Sequence, residues 1–246
     1  MFKYETHLHT TPVSKCARVT VRQIMEFYKK VGFDGIFITN HFIDGNICLD
    51  IRNASYEERI RFYFSDYEEA LKLQDEIGIK VFCGVESTYI DGTDFLIYGL
   101  DKEWFLAHPE IETMKMSQLL PYYMEHGALV IHAHPFREAG YIDHIRLFPR
   151  CVHGVEVVNA SRTDFENDSA QKYAKQYNLL EFAGTDNHGF TYDYLGGMES
   201  ETPVESVADF INKVKSGQMK VFTQKLHEPY CNAELHELDE FKSLES

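Results

Sequence analysis

The sequence predicts one α/β domain built as a TIM-like barrel. Three observations point to it. Strand and helix signals alternate along the 246 residues, which argues for parallel strands joined by helices. The histidines and key acids recur at the ends of those strands, and in a parallel barrel such ends share one face. No glycine-rich phosphate loop follows the first strand, which counts against an open doubly wound sheet.

The elements follow in order. A short first strand covers Phe2 to Leu8. The first helix opens at Thr20 with a Thr20–Gln23 capping box and closes at Gly32. Its apolar positions Val21, Ile24, Met25, Tyr28 and Val31 keep helical spacing. The second strand is the apolar run Gly35 to Thr39. An aromatic insertion from Phe42 to Phe64, carrying Tyr56, Phe62 and Tyr63, is either a lid over the site or a further packed helix. A helix spans Asp66 to Ile77, stopped by Gly78, and the third strand is Lys80 to Val85. Asp91-Gly92 marks a turn, and Phe95 to Gly99 reads as a strand. A helix near Ser117 to His126 stops at Gly127. Strands at Ala128 to Ile131 and Gly154 to Val158 follow, then a helix over Asp168 to Tyr177 and a strand at Leu180 to Ala183. Thr202, Pro203 and Glu205 supply cap, first-turn proline and third-position acid for a last helix ending at Gly217. Met219 to Thr223 offers one more strand. From Leu226 the chain is acidic and reads as a terminal tail or a small docked helix, so residues 1–225 form the domain and 226–246 the tail.

Hydrophobic residues make up 44% of the chain, enough for a real core. No apolar run approaches ~18 residues, so no membrane span is expected. MFKYETHLHT lacks the apolar core of a signal peptide, and the expected location is cytoplasmic. The net charge of −15, with no block of Lys or Arg, disfavours binding to nucleic acid. Carboxylates in such number also suit bound cations. Cys16, Cys48, Cys83, Cys151 and Cys231 are scattered and form no C-x-x-C pair. They read as buried or incidental thiols rather than a disulfide framework or cysteine zinc cage.

The chemistry lies at strand ends. The first strand closes in His7-Leu8-His9, the second in Asn40-His41, the third in Glu86, and the fifth in His132-Ala133-His134-Pro135. The sixth closes in Asn159 and the seventh in Asp186-Asn187-His188. Residues i and i+2 of a strand point to the same side, so His7 and His9 can reach one ion together. Imidazole suits zinc, iron and manganese, and carboxylates bridge ions. Glu86 and Asp186 are the candidates for that shared negative charge. His132 is a further candidate ligand or a packed strand residue.

Taken together, H-L-H-T at 7–10, T-N-H at 39–41, G-V-E at 84–86, A-H-P-F at 133–136 and G-T-D-N-H at 184–188 resemble the PHP (polymerase and histidinol phosphatase) domain family. The resemblance covers roughly residues 1–225. It implies a distorted (β/α)7 barrel holding one to three divalent ions (Zn, Mn or Fe) and hydrolysing phosphate mono- or diesters. It implies that His7, His9, Glu86 and Asp186 hold one metal. Glu86 then bridges to a second that also takes His134, and His41 and His188 belong to a third position. The sequence departs from that pattern in three places. Thr11 to Cys16 contains no further histidine, Asn159 is followed by Ser161-Arg162-Thr163-Asp164, and Asn40 stands where an aspartate is usual.

The expected activity is hydrolysis of a small phosphorylated metabolite by a metal-activated water. Asp186 lies at the reacting centre. Arg137, directly after His-Pro-Phe, is the first choice for gripping phosphate, ahead of Lys15, Arg18 and Arg162. His188 or His41 is a proton donor to the leaving oxygen if not a ligand. Two other readings stand beside this one. A metal-dependent amidohydrolase also uses H-x-H on a barrel, but it commonly wants a fourth-strand lysine, and Phe95 to Leu100 has none. A degenerate, non-catalytic barrel is disfavoured by the retained ligand set.

Overall fold

The computed structural model describes residues 1–90, 92–190 and 192–227. One nine-stranded sheet runs in the order β7-β6-β5-β4-β3-β2-β1-β8-β9. Its strands are β1 (Phe2–Leu8), β2 (Gly35–Ile38), β3 (Lys80–Ile90), β4 (Thr93–Tyr98), β5 (Leu129–Ala133), β6 (Gly154–Asn159), β7 (Leu180–Gly184), β8 (Tyr194–Ser200) and β9 (Met219–Lys225). The helices are α1 (Val21–Lys30), α2 (Tyr56–Tyr63), α3 (Ser65–Ile77), α4 (Lys102–Ala107), α5 (Met116–Glu125), α6 (Asp164–Tyr177) and α7 (Val207–Lys215).

The sheet curls into a distorted, nearly closed barrel. Beyond the ends of β1 and β7, His9 N donates to Asn187 O at 2.8 Å and Asn187 N to His7 O at 3.1 Å. These bonds bring the two halves of the sheet together. Side chains from eight strands meet in one cluster that includes Tyr4, Phe37, Phe82, Tyr98 and Phe182. Such a meeting is possible only inside a curled sheet. Phe210, Ile211 and Val214 of α7 join that cluster and plug the barrel. Outside, α1 and α3 cover β1 and β2, while α2, α4 and α5 cover β3 to β5. Ala170, Tyr173 and Ala174 of α6 cover Val155 and Val157 of β6.

Several boundaries follow the local chemistry the sequence carries. Thr20 caps α1 through the full capping box with Gln23. Gly78 ends α3 in the left-handed conformation, φ 76°. The aromatic insertion is in part the packed helix α2, with Ile60 and Tyr63 buried. α6 begins a turn before the expected start, because Thr163 and Glu166 make a capping box of their own.

Four expectations are corrected. The strands are not all parallel, because β4 runs antiparallel to both β3 and β5. The link from Ile90 to Thr93 is too short for a crossover and makes a hairpin. The expected Asp91-Gly92 turn falls on this link, of which Asp91 lies outside the described residues. β8 was not foreseen; its Y-L-G-G-M-E-S run is weak in strand formers. It pairs antiparallel with β1 and β9. α7 starts at Val207 with Ser206 as its cap, not at Thr202-Pro203. The chain there is turned into the core instead, where Val204 N donates to Tyr4 Oη at 2.7 Å. Finally, α4 was not anticipated; Asp101 caps it by accepting from Trp104 N.

The expected tail or docked helix falls, from residue 228 on, outside the described residues. Among the described residues no helix is long and apolar enough to cross a membrane.

Candidate metal centre

The barrel brings the strand ends to one place. His7, in β1, and His9, just past its end, have ring centroids 5.3 Å apart and are fully buried. The other residues arrive from β2 through β7. Glu86 sits at their centre. Its Oε1 is 3.1 Å from His7 Nε2 and 3.3 Å from His134 Nε2. Its Oε2 is 2.7 Å from His41 Nδ1 and 3.5 Å from His9 Nε2. Asp186 faces it from the far side. Asp186 Oδ1 is 3.5 Å from His7 Nε2, 3.4 Å from His9 Nε2 and 3.4 Å from His188 Nδ1. His9 lies between His188 and His41, with ring centroids at 4.1 and 4.4 Å.

Two of these residues are held in unusual backbone. His134 has φ 25° and Asp186 φ 57°. A non-glycine residue in that region costs on the order of 1–3 kcal/mol and persists where the surroundings impose it. Both lie just past a strand end, where the chain must turn a side chain back over the barrel.

The sequence reading missed three acids and a thiol. Asp94 Oδ2 is 3.8 Å from His134 Nε2, and Asp94, Glu86 and His134 form one possible ion-holding triad. Asp94 begins β4. An antiparallel strand presents its first residues, not its last, at the face where its neighbours end. The turn at 91–92 was the signal. Glu156, in mid-β6, accepts from His7 Nδ1 at 3.0 Å, from His134 N at 3.0 Å and from Asn159 Nδ2 at 2.9 Å. It fixes the His7 ring with Nε2 toward the cluster. Glu5 accepts from the backbone N of His7 at 2.8 Å and from Tyr28 Oη at 2.6 Å. A buried acid in the G-V-E-V-V-N run was the only sequence hint of Glu156. Cys16, read as incidental, lines the cleft beside His41 and His188.

Asn40 has a supporting position. Its Oδ1 accepts from Thr10 N at 2.7 Å and Ser14 Oγ at 2.9 Å. Ser14 Oγ also lies 3.0 Å from His9 Nδ1. His132 is not brought to the others. Its ring stacks on Phe95 at 4.9 Å and faces Tyr173 at 6.3 Å, on the helix-covered side of β5. His134, two residues on, reaches the cluster because the chain turns there with φ 25°, while His132 stays on the covered side within β5.

The electrostatics follow from burial and charge. Burial raises the carboxyls of Glu86 and Asp186, yet the surrounding histidines outweigh it and hold both well below the usual range. Burial lowers His7, but Glu156, Asp186 and Glu86 carry it well above its ordinary value. His9 is driven well below, by burial and then by His188 and His41. Burial raises the Cys16 thiol, but His188 and His41 bring it down to about 6.

The donor set fits divalent cations. His9 Nε2 and Glu86 Oε2 are buried and make no hydrogen bond, a costly state for polar atoms unless an ion completes it. Four overlapping triads have ligand atoms within 4.8 Å of one another: His7-His9-Glu86, His7-His134-Asp186, Glu86-Asp94-His134 and His9-His41-His188. The cluster floors a cleft of about 1150 Å³. Arg52, Arg137 and Arg162 line it, whereas Lys15 and Arg18 do not. The Arg137 guanidinium donates to Tyr141 Oη and lies 5.7 Å from that ring. No lysine is among the described residues lining the cleft.

No family model and no curated protein matches the sequence. Solved structures do share the fold. One is a two-domain protein from Bacteroides vulgatus ATCC 8482 containing a predicted PHP-like metal-dependent phosphoesterase. It matches with TM-score 0.65 at 15% identity, over 90% of this chain and 64% of that one. PsfC from Pseudomonas syringae PB-5123 matches with TM-score 0.58 at 14% identity, over 99% and 98% of the two chains. The lesion-specific endonuclease PfuEndoQ from Pyrococcus furiosus matches with TM-score 0.59 at 14% identity, over 92% of this chain and 59% of that one. This chain thus spans less than two thirds of the Bacteroides and Pyrococcus proteins. At such identities the likeness establishes the fold: a distorted barrel of the kind found in a PHP-like metal-dependent phosphoesterase.

Proposed function

We propose that this protein is a metal-dependent phosphoesterase that hydrolyses a small phosphorylated metabolite, with residues 1–225 as the hydrolase domain. One observation carries the reading. Histidines and carboxylates converge, buried, beneath a cleft whose rim bears arginines. His7, His9, Glu86 and Asp186 would hold one ion, Glu86, Asp94 and His134 a second, and His41 and His188 would belong to a third. When bound, one to three divalent ions (Zn, Mn or Fe) supply an acidified water and neutralise phosphoryl oxygens.

The protein's own residues do the rest. Arg137 binds the phosphate oxygens as a charge-assisted fork, and Tyr141 orients its guanidinium. Glu156 holds the proton on His7 Nδ1, so that Nε2 offers its lone pair to the cluster. His188, with Nδ1 turned to the Asp186 carbonyl at 3.0 Å, belongs to the ion-holding set rather than serving as proton donor. The cleft has no lysine among its described residues, which favours this reading over an amidohydrolase.

The test is elemental analysis of the purified protein with a p-nitrophenyl phosphate assay, before and after chelation and with Mn²⁺ or Zn²⁺ restored. Bound metal with chelator-sensitive turnover is the expected result. No metal and no turnover under any added ion would instead support the degenerate barrel.

A further inference from the structure

We propose that Cys16 is a metal ligand, whose thiolate joins His41 and His188 in a sulfur-containing position that prefers zinc-like ions to manganese or magnesium. The inference rests on the metal centre proposed above and adds a donor to it.

Backbone contacts fix Cys16 between the two histidines. Lys15 N donates to Asn46 O at 3.0 Å, on the loop that follows His41. Arg18 N donates to His188 O itself at 2.9 Å. The segment carrying Cys16 is therefore tied on one side to the His41 loop and on the other to the His188 loop. His188 Nδ1 is already placed, 3.0 Å from Asp186 O, while His41 Nδ1 lies 2.7 Å from Glu86 Oε2 and, buried, makes no hydrogen bond. Cys16 lines the same cleft as both rings.

A second observation is independent of the cysteine. Ring nitrogens of His9, His41 and His188 lie within 4.8 Å of one another, and His9 Nε2 is fully buried with no hydrogen bond. Three imidazoles crowded this closely repel as cations and leave lone pairs unsatisfied as neutral rings. A metal ion relieves both conditions. A thiolate beside two imidazoles is a soft donor set of the kind that takes zinc or cobalt, whereas carboxylate-rich sets take harder ions. The position carrying Cys16 therefore differs in preference from the one built on Glu86 and Asp94.

The experiment titrates cobalt(II) into the metal-free full-length protein and records its absorption, with bound metal measured separately. Wild type should show a near-ultraviolet sulfur-to-cobalt charge-transfer band. Cys16→Ser should lose that band and bind one equivalent less, while keeping the visible cobalt bands of the remaining positions. Cys16→His should restore the equivalent without the band, which guards against a serine variant that folds poorly. Cobalt binding without the charge-transfer band, or a band that survives in Cys16→Ser, overturns the assignment of Cys16 and leaves the metal centre standing. Absence of cobalt binding to any form overturns both.

Discussion

Replacing Glu156 with glutamine separates the holding of the ions from the chemistry they would perform. The carboxylate accepts three buried hydrogen bonds, from His7 Nδ1, His134 N and Asn159 Nδ2. A glutamine keeps one acceptor oxygen and adds a donor. If its nitrogen faces His7, the ring must carry its proton on Nε2, 3.1 Å from Glu86 Oε1, where the lone pair is needed. If its oxygen faces His7, the amide nitrogen meets two donors, and an unpaired buried donor costs about 1–3 kcal/mol. Either arrangement harms the centre. Loss of such an orienting partner lowers metal affinity about 10–100-fold, or roughly 1.4–2.8 kcal/mol. Competition for Zn²⁺ between the metal-free protein and a chromophoric chelator measures this directly. Activity at saturating metal should fall far less than the affinity does. A Glu156→Gln protein with wild-type zinc affinity would refute the orienting role.

Further outcomes are expected. Asp186→Asn should abolish hydrolysis while circular dichroism stays native-like; an active variant sinks the site assignment. Arg137→Ala removes a charge-assisted bond worth about 1.5–3 kcal/mol, so KM for phosphate esters should rise roughly 10–100-fold with little change in kcat; an unchanged KM takes Arg137 out of the pocket. The metal-free protein should lose stability as pH rises. Burial lifts Glu5 to about 7, and a raised carboxyl contributes stability that disappears as pH climbs through that value. His7, raised by Glu156, Asp186 and Glu86 against burial, and His41, raised by Glu86 and Cys16 against burial, contribute below ~6.5 and lose their contribution as pH rises above it. Tm in chelator should therefore fall between about pH 6 and about pH 8, and bound metal should oppose the fall because ligands must be deprotonated; a rising Tm in chelator contradicts this. Gly196→Ala would place a Cβ 2.4 Å from Gly184 O, where β8 passes β7. Backbone must move, so denaturant unfolding should show a loss of about 1–3 kcal/mol.

The sequence by itself determined the repeating elements and most of the cluster. Helical spacing and the Thr20–Gln23 box placed α1 because those signals act within one turn of chain. The strand-end motifs placed His7, His9, His41, His134, Asp186 and His188 because parallel neighbours end on one face, whereas Glu86, expected at a strand end, lies within β3, which runs on to Ile90. Only the tertiary structure decided the rest. Asp94 reaches the cluster because β4 is reversed, and a reversal is a property of pairing rather than of any one strand. Glu156 acts through His7, about 150 residues away in sequence, and Glu5 ties His7 N to Thr185 N, about 180 residues away, distances over which no local pattern carries information. His132 does not join the cluster because its ring faces Phe95 and Tyr173 on the covered side of β5, while His134 is turned to the cluster past the strand end with φ 25°. β8 has little strand propensity of its own; it forms because β1 and β9 supply its hydrogen-bond partners. Local chemistry thus fixed what each segment offers, and the closing of the barrel fixed which offers meet.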